Sequence, residues 1–303
     1  MDLTNINFMQ IRKQTTVLSV LLIVISIGSL FINKLNLGLD FTGGTLIEIR
    51  LDEEISSLED IRVLLRQSSL TDFQVNYFGS NKDISIKIPG GLNAVNGNDV
   101  IASLASNISF ELRRQEFLGP QVGTELRDQG GLGLLAALAV MMVYIMFRFQ
   151  YKFAIGALLA LIHDVIIVLG CFSIFTLDFD LTVLAAILAV IGYSLNDTIV
   201  VSDRVRENFR KKRRAAPDSV INRSLNQMIG RTLITSLTTL LVLFALLIFG
   251  GETIKNFSLA LIIGVISGTY SSIYIVCNSL LSLDIKSEDL IVQKVEALND
   301  GMP

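Results

Sequence analysis

The chain has 303 residues, of which 51% are hydrophobic and 17% charged, and its formal net charge is −3. The mean hydropathy is +0.59. That is too apolar and too poor in charge for an ordinary soluble chain of this length, so an integral membrane protein is expected, and the near-neutral balance gives no basis for nucleic-acid binding.

Six apolar runs are each long enough to cross a hydrocarbon core of about 30 Å at 1.5 Å per residue. They lie near 15–33, 130–149, 152–173, 180–201, 232–250 and 257–279. The first follows Arg12 and Lys13 and lacks a small-residue cleavage site, which reads as a retained signal anchor. Arg12 and Lys13, then Arg148 and Lys152, then the basic stretch 204–223 fall on one side if the spans alternate. The opposite loops, "IFTLDFD" (174–180) and "GGETIKN" (250–256), carry little positive charge. The positive-inside rule then places both termini in the cytoplasm. The chain divides into a cytoplasmic segment 1–14, a first span 15–33, an extracytoplasmic domain 34–129, spans two to six over 130–279 with a basic cytoplasmic loop 202–231, and a cytoplasmic tail 280–303.

Within 34–129, "TGGTLIEIRL" (42–51) alternates like a strand, and "SLEDIRVLLRQ" (57–67) has helical spacing with an acidic start. "DFQVNYFG" (72–79) and "DISIKI" (83–88) read as two strands around "SNKD", and "NDVIASLASNISFELRRQ" (98–115) as a second helix. The order βαββα describes a small α+β domain with helices on one face of a sheet. It is either a scaffold or a platform for an emerging chain. Gly43 and Gly44 lack the lysine and spacing of a phosphate loop, so they shape the exit from the first span.

The polar residues inside the spans carry the functional argument. "IGYSLNDTIVV" (191–201) puts Gly192, Ser194, Asn196 and Asp197 in the fourth span. A carboxylate facing lipid costs about 3 kcal/mol or more, so Asp197 has to face a partner helix or a wet cavity. It is either glue between helices or a protonatable coupling site. Arg231, at the start of the fifth span, approaches from the same side. It either snorkels to the headgroups or pairs with Asp197. Thr232, Thr235, Ser236 and Thr239 form a hydroxyl stripe at helical spacing. "LIHDVIIVLG" (161–170) places His163 and Asp164 near the middle of the third span, with the acid facing the bundle. A single histidine makes no recognisable metal site. Gly264 and Gly268 give the sixth span a small-residue packing face, to which Gly192 adds on the fourth. Cys171 and Cys277 are isolated packing residues. The basic stretch either anchors to anionic lipid, fixes topology or docks a cytoplasmic partner, and its flanks 202–208 and 219–228 read as short surface helices. No cofactor, metal set or nucleophile–base pair is evident, so neither an intramembrane protease nor any other enzyme is expected.

The segments "LGLDFTGGT" (37–45), "VGTELRDQG" (122–130), "IGYSLNDTIVVSDRVREN" (191–208), "RTLITSLTTLLV" (231–242) and "FGGETIKNFSLALIIGVISGTYSSIY" (249–274) resemble the SecD/SecF family of protein-export membrane proteins, on the side of its smaller subunit. The resemblance covers nearly the whole chain and places it in the wider resistance-nodulation-division group. It implies a ferredoxin-like outer domain, a complex with SecD beside the SecYEG channel, and YajC and YidC as further neighbours, with exported preproteins as substrate. It implies late export, after the SecA motor has acted, driven by the proton motive force across the inner membrane. It also assigns proton coupling to Asp197 and Arg231, with Asp164 as a further acid; from its own chemistry Asn196 joins this proton-coupling set, and Thr235 and Ser236 are expected to supply hydrogen bonds or position water. Ser202, where many relatives have phenylalanine, and Thr124 to Arg127, where many have proline, depart from the family pattern. A purely structural subunit that stabilises SecD is the alternative, and a small-molecule efflux half-transporter a remote one.

Overall fold

The computed structural model describes residues 6–53, 57–67, 73–78, 80–90, 97–212 and 214–286. A single 3₁₀ turn, Phe8–Ile11, leads into α1 (Arg12–Ile32). The inserted domain follows as β1 (Asn36–Leu37), α2 (Leu39–Thr42), β2 (Gly44–Leu51), α3 (Leu58–Gln67), β3 (Gln74–Phe78), β4 (Ser80–Pro89), α4 (Gly97–Ala105) and β5 (Phe110–Leu118). Then come α5 (Pro120–Arg148), α6 (Tyr151–Ile174), the two-residue β6 (Asp178–Phe179), α7 (Leu181–Lys211), α8 (Pro217–Phe249) and α9 (Glu252–Ser282). Helices α1 and α5 to α9 are each long and apolar enough to span a membrane.

Strands β2 to β5 form one antiparallel sheet in the order β3-β4-β2-β5. Combined with the element order βαββαβ, this is the ferredoxin-like arrangement. Its core follows from strand alternation. Ile47, Ile49 and Leu51 of β2 and Ile84, Ile86 and Ile88 of β4 point to one face. Ile61 and Leu65 of α3 and Val100 and Leu104 of α4, at helical spacing, cover that face.

The expected helix over 98–115 is corrected. Helix α4 ends at Ala105, and residues 110–118 pair with β2 as an edge strand. The charged run "FELRRQEF" has good local helix propensity and no alternating apolar face. Its hydrogen bonds to β2 decide the outcome, and its side chains are nearly all exposed. The expected strand at 72–79 begins and ends outside the described residues, and its described part holds β3.

Three helices outrun their apolar stretches. Helix α5 starts at Pro120, about a decade of residues before its hydrophobic run, with proline in the first helical turn, where its missing N–H costs nothing. The flanks of the basic stretch are not separate surface helices. Helix α7 continues to Lys211 and α8 starts at Pro217, so the two spans extend past the apolar region as one hairpin.

Helices α6, α7 and α9 bury half or more of their apolar stretches against one another, while α1, α5 and α8 are mostly open. Close approach of α9 to α7 depends on glycine. A Cβ on Gly264 would run into the Val190 side chain, and one on Gly268 would sit 3.0 Å from Ser194 Cβ.

The ferredoxin-like domain is clasped to the bundle at the start of α7. β1 pairs in parallel with β6, joining Asn36 to Asp178 and Leu37 to Phe179. Asp40 Oδ2 accepts from Leu181 N at 3.0 Å, while Asp180 Oδ1 caps α7 by accepting from Val183 N at 2.9 Å. Lys87 of β4 donates to Asp178 Oδ2, and Asn36 Nδ2 donates to Asp178 Oδ1 at 2.6 Å. Gly43 (φ +69°) and Gly44 (φ +140°) adopt left-handed backbone that a side chain would strain. Gly43 lies against Pro120 and Gly123, so the chain entering the sheet touches the base of α5, while Gly44 lies against the backbone of Ile88 and Gly90.

Candidate functional site: two buried acids on adjoining helices

Asp164 lies on α6 and is 1% exposed. Three hydroxyls converge on its carboxylate. Ser194 of α7 donates to Oδ2 at 2.6 Å, Ser271 of α9 donates to Oδ2 at 2.7 Å, and Ser267 of α9 donates to Oδ1 at 2.6 Å. His163 Nδ1 lies 3.1 Å from Oδ1. The three hydroxyl distances lie at the short end of the normal O–H···O range. Ser267 and Ser271 are four residues apart on α9 and so share a face, which lets one carboxylate collect both. This single acid ties α6, α7 and α9 together. His163 is itself 2% exposed, with Nε2 unpartnered among the described residues and its ring 6.0 Å from that of Tyr270.

Asp197 of α7 is 4% exposed, and its Oδ2 is buried with no hydrogen-bond partner among the described residues. The hydroxyls of the next residue, Thr198, and of Ser202 one turn on are likewise buried and unpartnered. Arg231 of α8 is close enough for its charge to act on Asp197, but no ion pair within 4.0 Å joins them. The arginine itself is exposed. Asp197 is therefore buried with one cation at longer range, a costly arrangement for a fixed anion.

The remaining expected residues fall into two groups. Ser236 bridges α8 to α9, its Oγ 2.7 Å from Thr269 Oγ1, and accepts from Tyr193 OH of α7 at 3.4 Å. Thr235 instead donates to the carbonyl of Arg231 within its own helix at 2.9 Å, and Thr239 repeats the pattern on Thr235. Asn196 and Gly192 are exposed, and nothing lies within 4 Å of a Cβ placed on Gly192. Among the described residues Gly192 thus packs against no helix, unlike Gly264 and Gly268. With Ala185 and Ala189 it forms a smooth open stripe on α7.

Sequence reasoning missed the cage around Asp164. It named Ser194 among the polar residues of the fourth span and passed over Ser267. The serine spacing held the signal: a midspan acid on one helix needs donors, and 267 and 271 present two on one face of another. Among the described residues no group of three or more histidine, cysteine, aspartate or glutamate side chains could hold a metal ion.

Six spanning helices, a ferredoxin-like domain inserted after the first, and two acids buried in the helical core define a multi-pass membrane protein of the transporter type. Residues 99–286 match the family described as "Protein export membrane protein SecD/SecF, C-terminal", and residues 28–55 match the "SecD/SecF GG Motif". The chain belongs to the SecD/SecF family. Similar proteins named "Protein translocase subunit SecF" come from Pseudomonas aeruginosa, 49% identical over 98% of both chains, and from Escherichia coli O157:H7, 45% identical over 94% of this chain and 90% of that one. Among solved structures, SecDF from Thermus thermophilus, titled a translocon-associated membrane protein, superposes with a TM-score of 0.83 at 34% identity. The match covers 92% of this chain and 38% of the solved chain, so this chain spans well under half of that SecDF protein.

Proposed function

We propose that the chain is the SecF subunit of a protein-export assembly of the inner membrane, and that with SecD it uses the proton motive force to promote late export of unfolded preproteins through SecYEG. YajC and YidC are its further neighbours in this reading. Both termini face the cytoplasm and the ferredoxin-like domain lies in the periplasm, as the basic residues at one end of the bundle favour. The open stripe Ala185, Ala189, Gly192 and Asn196 suits a helix of SecD, because small residues let backbones approach.

The observation that carries the reading is the orphaned Oδ2 of Asp197. A buried carboxylate without a donor is stabilised by taking a proton and destabilised by losing it, unless Arg231 swings closer. Protonation therefore changes which arrangement of α7 and α8 is favoured, which is what a proton-driven conformational cycle needs. Helix α7 carries Asp197 on its inner stretch and the clasp of Asp40 and Asp178 at its outer end, so a shift of α7 pulls on β1 and, through Lys87, on β4.

Asp197→Asn in the assembled complex should keep insertion and SecD binding and lose the gradient-dependent part of export. The measurement is preprotein export into vesicles with and without an imposed proton gradient. Full gradient-dependent export by an assembled Asp197→Asn complex sinks the reading and leaves a structural subunit that stabilises SecD.

A further inference from the structure

The end of the bundle where α5 turns into α6 and α7 runs past the apolar region carries an uncompensated cluster of guanidinium groups. Arg148 closes α5, and Arg206 and Arg210 are four residues apart on α7, hence on one face. Arg148 and Arg210 stand close enough to Arg206 to repel its charge, and Asp203 close enough to attract it. Asp203 is already engaged, accepting from Arg148 Nη2 at 2.8 Å. Arg204 and Lys211 on the same stretch are matched, both donating to Glu207 at 2.6 Å. Among the described residues Arg206 and Arg210 have no hydrogen-bond or ion-pair partner, and Arg206 Nε is buried. Three cations thus share one carboxylate, with a buried N–H left over. Like charges held together with a desolvated donor favour an anion between them.

The depth of the cluster identifies the anion. Arg206 lies 25 residues beyond Leu181, about 37 Å along the helix axis at 1.5 Å per residue. A hydrocarbon core is about 30 Å thick and the bilayer with its headgroups about 40–45 Å. A helix entering the core near Leu181 therefore brings Arg206 to the phosphate layer of the opposite leaflet. Apolar surface for acyl chains is at hand, since Phe147 is 90% exposed and Tyr151 is 64% exposed on either side of Arg148. Aromatic rings at this level are characteristic of a lipid interface.

We propose that Arg206, with Arg148 and Arg210, binds the phosphate of an anionic phospholipid headgroup at the α5–α6 corner. The donor left over in the fold goes to a phosphate oxygen, and the net positive charge of the cluster selects an anionic lipid over a zwitterionic one. The site is independent of proton coupling at Asp197.

The test uses the full-length chain co-purified with SecD, delipidated in neutral detergent and followed by native mass spectrometry. It is titrated with phosphatidylglycerol, with phosphatidylcholine of the same acyl chains, and with inorganic phosphate. The expected result is one phosphatidylglycerol retained in preference to phosphatidylcholine, with affinity about fivefold weaker for Arg206→Gln and for Arg210→Gln. Arg113→Gln, on the exposed strand β5, should leave it unchanged. Arg210 is exposed, so its variant reads the site even if Arg206→Gln fails to assemble. Equal retention of the two lipids, or retention indifferent to both variants, overturns the proposal. Arginine-dependent binding of inorganic phosphate without retention of phosphatidylglycerol overturns the lipid source.

Discussion

Asp164 and Asp197 are the same side chain at similar burial in the same helical core, yet their surroundings differ in kind. Asp164 has three hydroxyl donors drawn from α7 and α9 with a histidine nitrogen alongside, whereas Asp197 has an oxygen that nothing answers. A satisfied buried carboxyl is a fixed point: its bonds hold helices in one register. An unsatisfied one is poised, because adding a proton or moving a cation lowers its energy. Burial does not separate the two acids; the donors built around each do.

The widest gap between them should appear in stability. Asp164→Ala leaves three hydroxyls and the imidazole without their common acceptor in a packed interior. Losing several hydrogen bonds at once should cost on the order of 3–5 kcal/mol. Denaturant unfolding of the purified complex measures it, with loss of assembly as the extreme outcome. Asp164→Asn keeps the shape but offers one acceptor atom instead of two, so a smaller loss of about 1–3 kcal/mol is expected. A cost below 1 kcal/mol for Asp164→Ala would show that the cage does not hold the three helices.

Much of this was legible in the chain. Six spans, the acid at 197, the acid at 164 and the α+β insertion all follow from apolar run length and from the cost of charge in lipid. What escaped was set by tertiary partners. Strand β5 exists because β2 offers it a ladder, not because "FELRRQEF" alternates. The basic flanks at 202–208 and 219–228 look like interfacial helices in isolation, yet they continue α7 and α8. Gly192 and Gly264 look alike in sequence. Only the packing shows that Val190 fills the space above Gly264 and that nothing among the described residues covers Gly192.

That pair of glycines gives an intermediate effect. Gly264→Ala forces a methyl group into Val190, and overpacking of this kind costs about 1–3 kcal/mol. Gly192→Ala meets open space in the lone chain, so any defect it causes should appear only in co-purification with SecD. Destabilisation of the uncomplexed chain by Gly192→Ala would contradict the open face on α7. Smaller again is Ser236→Ala, which removes one bond between α8 and α9, where interhelical bonds in membranes average about 0.6 kcal/mol.

Asp197→Asn should be the mildest of these changes to stability and the most severe to function. The amide is neutral and close to isosteric, so it removes a desolvated charge without breaking any hydrogen bond the acid makes to its Oδ2. Unfolding free energy should stay within about 1 kcal/mol of the parent or rise slightly. Gradient-dependent export should nevertheless fail, because the amide cannot take up and release a proton. The clasp gives the matching control at the other end of α7. Lys87→Met should cost under about 1 kcal/mol for a partly exposed ion pair. It should leave proton flux through the complex intact while weakening the link between that flux and export. Restored coupling in the charge-exchanged pair Lys87→Asp with Asp178→Lys would assign transmission to this contact. If Lys87→Met abolished flux as well, the ion pair would belong to the proton site itself, and the division of labour along α7 between an inner switch and an outer clasp would be wrong.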